Sequence, residues 1–201
     1  MQRADMALRI LQVHAAYAQR GVSLATAALA GANAFVCWQH YPKNDAVDDE
    51  HQTRFFYHAH DHDEALPNEH GHFHVFAKSS GQRAQTYAHL VGISLNAMGE
   101  PTRLFTTNQW VTGESMQAAH VLAQVIDGFV VQCHGRLAPI ATWLTAVLGF
   151  YKDVIVKLLY QRDALLAQRG FDAAVLNDRE IHIVSEQPLT HYWDHLKKEI
   201  V

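Results

Sequence analysis

Cysteine is scarce in this 201-residue chain: it has two, Cys37 and Cys133, with no C-x-x-C spacing. Two such thiols give no disulfide framework, and a reducing, cytoplasmic setting is the simplest expectation. Long apolar runs are lacking too. IATWLTAVLGFY ends at Lys152 after twelve residues, too short to span a bilayer, so no membrane partner is expected. There is no run of Lys or Arg, and the formal net charge is -4. That removes the electrostatic footprint of a nucleic-acid partner. Walker A and G-x-G-x-x-G patterns are absent, and GISLN (92–96) lacks the last glycine of a serine-hydrolase elbow. Arg20, the VSLATAALAG run and Ala32-Asn33-Ala34 imitate a secretory signal. They follow a polar segment containing Asp5 and His14, so secretion is not expected.

What is present reads as one folded domain over 1–201, with 49% hydrophobic and 18% charged residues. Residues 3 to 19 carry a helical stripe of Leu8, Leu11, Ala15 and Ala18, and Ser23 can cap a short helix after Gly21. Then the pattern becomes extended. FVCWQHY (35–41), RFFYHAH (54–60), HFHVFAK (72–78), YAHLVGISL (87–95) and TRLFTTN (102–108) are short, aromatic or β-branched, and bounded by turn residues. Helices return from Ser115 to about Cys133 and from Pro139 to about Arg169, where Gly149 can introduce a bend. EIHIVSE (180–186) can add a sixth strand, and Thr190 can open a terminal helix. The expected class is α+β: an antiparallel sheet of five or six strands packed against N-terminal helices and two long C-terminal helices.

Histidine is the abundant chemistry. FFYHAHDHDEALPNEHGHFHVF (55–76) holds six of the fifteen histidines. In a strand, residues i and i+2 share a face. His58 and His60 therefore lie with Phe56, and His72 and His74 with Phe76. The opposite face, Phe55, Tyr57, Ala59, Phe73, Val75 and Ala77, suits a layer of helices. A simple hairpin register pairs 60 with 72, 58 with 74 and 56 with 76, which sets four imidazoles in a square. Neutral imidazole suits Zn, Fe, Cu and Ni, and a cation relieves the repulsion that clustered protonation would bring.

His89, sharing a face with Val91 and Ile93, joins the set if its strand abuts the pair. The intervening DHDEALPNEHG (61–71) offers His62, Asp63, Glu64, Glu69 and His70 as further ligands, orienting carboxylates or a general base. Arg103, Thr106, Thr107, Asn108 and Glu114 form a polar group that suits capping and turns more readily than substrate binding. His40 has a weaker case. His120 and His182 read as structural or exposed, and His191 with His195 as surface residues.

Two resemblances bear on this stretch. His58-x-His60-x-x-x-Glu64-x6-Gly71 resembles the first metal motif of the cupin family over fourteen residues. The upstream glycine is Gln52 here, no P-x-G motif follows, and the long helices do not suit a small β-barrel. HYP (40–42), FFYHAH (55–60), EHGHFH (69–74) and RLFTTNQWVTGE (103–114) resemble signature blocks of an uncharacterised bacterial domain family, over most of the chain. That resemblance implies no activity, but it favours Glu69 and His70 as acid/base candidates. The combined expectation is a histidine-rich metal protein with His58, His60, His72, His74 and His89 as candidate ligands. Zn is the first choice of cation, with Fe, Cu or Ni open. A metal-dependent hydrolase or oxygenase acting on a small molecule leads the alternatives of a carrier or sensor and a pH-sensitive ligand-binding module. The oligomeric state is left open.

Overall fold

The computed structural model describes residues 2–32, 34–60, 68–78 and 86–200. Its centre is a six-stranded antiparallel sheet whose spatial order follows the chain: β1 (Tyr41–Asp48), β2 (Thr53–His58), β3 (Gly71–Lys78), β4 (Tyr87–Leu95), β5 (Pro101–Thr107) and β6 (Ile183–Pro188). Helices α1 (Arg3–Ala18) and α2 (Leu24–Ala28) precede it. Between β5 and β6 come α3 (Gln109–Thr112), α4 (Ala119–Asp127), α5 (Ala138–Phe150), α6 (Lys152–Ala167) and α7 (Ala173–Leu176); α8 (Tyr192–Lys198) closes the chain. The α+β class is the expected one. No single helix among the described residues is long and apolar enough to cross a membrane.

Alternation gives the sheet two unlike faces. Phe55, Tyr57, Phe73, Val75 and Ala77 share one core with Trp143, Leu144 and Val147 of α5 and with Ile155 and Leu159 of α6. The Trp143 ring lies 5.8 Å from Phe73. Burying each large side chain contributes about 1.5–3 kcal/mol. A slip of one residue would turn those side chains to solvent, so the core fixes the parity of β2 and β3.

Register is another matter. His58 stands opposite His72 and Phe56 opposite His74, a shift of two residues from the expected 60/72 and 58/74 pairs. A two-residue turn dictates register, whereas the eleven residues from 61 to 71 leave it to packing. Gly71 contributes here: a Cβ on it would lie 2.6 Å from the His58 carbonyl oxygen and 2.8 Å from the Tyr57 hydroxyl. The bare α-carbon lets the strands close beside His72.

His89 departs from its expected face for a similarly local reason. Val75 pairs with Val91, but Phe76 pairs with His89, so a β-bulge takes up one extra residue of β4. Val91 and Ile93 stay in the core, while His89 turns to the other side beside His74 and Phe76.

The remaining differences are boundaries. FVCWQHY is not a strand, because Trp38 adopts φ +67° and pairing begins at Tyr41. The core-facing stripe of α1 is Ala7, Ile10, Val13 and Tyr17, and Leu8 is 47% exposed. The helix expected over 115–133 is confined to α4, which ends at Gly128. The long helix expected from Pro139 is split into α5 and α6, bent by 73°. Gly149, where a Cβ would come within 2.7 Å of Met6, lets α1 pack close on α5, while α6 lies along β5 and β6. Ser23 caps α2 as expected, accepting from the Thr26 N–H at 3.1 Å. The sixth strand spans 183–188, and the terminal helix begins at Tyr192 behind His191.

Candidate metal centre

On the face of the sheet away from the main core, three imidazoles converge. The Nε2 atoms of His58 and His72 are 2.7 Å apart across the β2–β3 ladder. His74, two residues along β3, has its ring 4.9 Å from that of His72 and 5.1 Å from that of His58. One nitrogen from each of the three lies within 4.8 Å of the others, so they can coordinate a metal ion. Around a tetrahedral ion with bonds of about 2.05 Å, ligand nitrogens stand ~3.3 Å apart. The cluster therefore needs only small side-chain adjustments to close on a cation. His72 and His74 are 6% and 2% exposed, and His58 is half-buried.

The next layer holds these rings in place. Glu69 accepts from Nδ1 of His72 at 2.5 Å, which leaves the His72 Nε2 lone pair facing His58. This is the carboxylate–histidine arrangement that orients metal ligands. Arg103 donates to Glu69 at 3.4 Å, to Ser94 at 3.3 Å and to Glu186 at 2.8 Å. Nδ1 of His74 lies 2.9 Å from Nε2 of His89, and Nδ1 of His89 lies 3.3 Å from the Thr107 hydroxyl. Protons running outward along this chain, from His74 to His89 to Thr107, leave the His74 Nε2 lone pair free. His89 thus stands behind His74, and is not one of the three convergent nitrogens.

Electrostatics favours neutral rings. Burial, then the neighbouring His72, His60 and His40, lowers His58 to about 2. Burial, then the other imidazoles, holds His74 well below its ordinary value. Burial and the Arg162 guanidinium lower His89 to about 3. Burial alone would raise Glu69, but the hydrogen bond and charge of His72 and the charge of Arg103 bring it below its ordinary value, as an ionised carboxylate. Neutral nitrogens beside a fixed anion are the protonation pattern that a divalent cation requires.

A cavity of about 460 Å³ opens on His72 and His74 and is also lined by His60, Glu69, Arg103 and Phe105. His60 sits just past β2, its ring 5.2 Å from His72 and stacked 4.3 Å from Trp38. His70 is placed apart from the cluster: its Nδ1 is 2.8 Å from the core tyrosine Tyr57, and its ring stacks on Phe35 at 4.8 Å. His62, Asp63 and Glu64 lie outside the described residues. His40 stacks on Phe56 at 3.6 Å and pairs with Asp45, so it buttresses the edge of the cluster. Asn108 caps α3, and Glu114 pairs with Arg54; both serve structure. His191 is exposed at the start of α8.

Sequence reasoning missed His182, Val111 and Ile183 as cavity-lining residues. They reach the site through the pairing of β5 with β6 and through α3, and no local pattern announces that. Arg103 had one visible signal, its odd-position match with Phe105 and Thr107 on an alternating strand.

No curated protein and no solved structure matches this sequence, and the cupin-like spacing finds no support in an open sheet with β1 and β6 at its edges. A family model described as a domain of unknown function, DUF6969, matches residues 4–189, and the chain belongs to that family.

Proposed function

We propose that the protein is a metal-dependent enzyme acting on a small molecule, with His58, His72 and His74 as the ligands of one divalent transition-metal ion. One observation carries this reading: three imidazoles converge, one of them oriented by a buried carboxylate, and two of the three, His72 and His74, line a cavity large enough for a substrate. Three protein ligands leave a tetrahedral ion one open position, the pattern of catalytic and not of structural sites. A cation there would supply Lewis acidity and activate a coordinated water in the Zn form, or support oxygen chemistry in the Fe or Cu form. Zn, and hydrolysis, is our first choice.

The chain's own residues then have separable tasks. Glu69 orients His72 and, through its second oxygen, ties the site to Arg103. His89 and Thr107 fix the ring of His74. Phe105 excludes water from one side of the cluster, its ring edge-on to both His72 and His74. The low exposure of His72 and His74 weighs against a carrier that must exchange its cation readily.

Protein purified without a nickel resin is expected to contain about one equivalent of transition metal by elemental mass spectrometry. The metal-free form should gain thermal stability on adding Zn²⁺. Absence of stoichiometric metal together with no thermal shift from Zn, Fe, Cu or Ni would remove this reading.

A further inference from the structure

The cavity has walls of two kinds. Phe105, Val111 and Ile183 are apolar, while Arg103, Thr107 and His182 join Glu69 and the cluster histidines as polar lining. At about 460 Å³ it falls in the range of small-molecule sites. One wall carries the ring of Phe105, edge-on to His72 at 5.3 Å and with the Arg103 guanidinium 4.7 Å from its centre. That ring lies across β4 at Gly92, its partner in the ladder. A Cβ on Gly92 would come within 2.2 Å of the ring. Gly92 does not adopt a left-handed φ, so what the glycine supplies is room. It allows the Phe105 ring to pack directly against β4, so a side chain at 92 would push the ring away from the strand.

Charge limits what can fill that space. Three neutral imidazoles leave the charge of a divalent cation uncompensated. Arg103 adds a positive charge, and Glu69 and Glu186, which both pair with it, add one negative charge each. A net positive charge remains in a cavity that also offers the apolar side chains of Phe105, Val111 and Ile183. The complementary ligand is anionic at one end and hydrophobic at the other.

On the reading that a cation occupies the three-histidine cluster, we infer that the substrate class is a small carboxylic acid with an aromatic or branched aliphatic body. The carboxylate faces the cation beside Arg103. The body packs against the side chains of Phe105, Val111 and Ile183, and Gly92 is the position that determines how large it can be.

The test uses full-length protein loaded with Co²⁺, whose visible absorption reports ligands entering the coordination sphere. Benzoate, acetate and benzamide are titrated in turn. Benzoate is expected to bind at least about tenfold more tightly than acetate, because its ring buries apolar surface, and benzamide to bind at least about tenfold more weakly than benzoate for want of charge. Gly92→Ala should lift Phe105 into the cavity and bring benzoate close to acetate while Co²⁺ still binds. Should that variant not fold, Ile183→Ala, at the 38% exposed start of β6, removes a wall and should also reduce the benzoate preference. If Co²⁺ binds but benzoate is no tighter than acetate, or benzamide equals benzoate, the substrate class is overturned and the metal centre stands. If Co²⁺ does not bind, the metal centre itself falls.

Discussion

His72→Ala is expected to weaken Zn²⁺ binding more than any other single substitution in the protein. His72 lies in the middle of the cluster, 2.7 Å from His58 through Nε2 and tied to Glu69 through Nδ1. Its loss removes a ligand and leaves the ionised Glu69 with Arg103 but without its hydrogen bond to the imidazole. Removing an outer partner of a metal ligand costs roughly 10–100-fold in affinity. Glu69→Gln should fall in that range, and His72→Ala, His58→Ala and His74→Ala should each exceed it. His89→Ala should behave like Glu69→Gln, since it frees the ring of His74 without deleting a convergent nitrogen. His70→Ala, on the Tyr57 side, should leave affinity unchanged. Competition with a chromogenic chelator at fixed pH reads the whole series. Equal affinities for His72→Ala and His70→Ala would dismiss the cluster as a binding site.

Between pH 6.5 and 4 the metal-free protein should lose several kcal/mol of stability. Burial and neighbouring groups lower His58 to about 2 and His89 to about 3, and hold His74 well below its ordinary value. Away from the cluster, burial among Trp143, Tyr192 and Trp193 lowers His14 to about 4, against the opposing charge of Glu100. In the unfolded chain each returns to about 6.5. Between its folded and unfolded values, each histidine binds a proton only when unfolded. Stability therefore falls as pH falls, by at most about 1.4 kcal/mol per pH unit for each histidine. The fall begins near pH 6.5, and the His14 part levels off near 4.

Folded domains hold only ~5–15 kcal/mol in all, so four such groups together can unfold the metal-free chain in mild acid. Urea unfolding at pH 7, 6 and 5 measures the slope. His14→Gln, which keeps an acceptor for the Trp143 indole but has no titrating proton, should make the slope shallower. A flat profile from pH 7 to 5 would contradict this account. Zn²⁺, which binds the neutral rings, should raise stability at pH 7 and lose its hold as the pH drops.

The sequence disclosed the faces of β2 and β3 but not their alignment. Period-two alternation makes the sides of Phe55, Tyr57, Phe73 and Val75 visible, since burial of those side chains decides it. Alignment depends on how the strands lock together, and a long connection carries no signal for that. His89 illustrates a second limit: a single extra residue in β4 reverses its side, and bulges have no dependable local signature. The wall of the cavity that holds His182 and Ile183 was illegible for a third reason. Those residues are about eighty positions from β5, and only the path of α4 to α7 brings them back. Trp38 shows the opposite error, in which aromatic content suggested a strand that a left-handed residue interrupts.

The strands follow one another in space as they do along the chain, and this has a consequence for assembly. His58, His72, His74 and His89 all belong to β2, β3 and β4, so bringing them together requires two successive hairpins and no long-range crossover. Contacts between nearby stretches of chain form quickly, because little loop entropy must be surrendered first. The distant partner β6 adds itself to an edge that does not touch those strands. Local zippering is therefore expected to assemble the imidazole nest early, with the β6 wall of the cavity added afterwards.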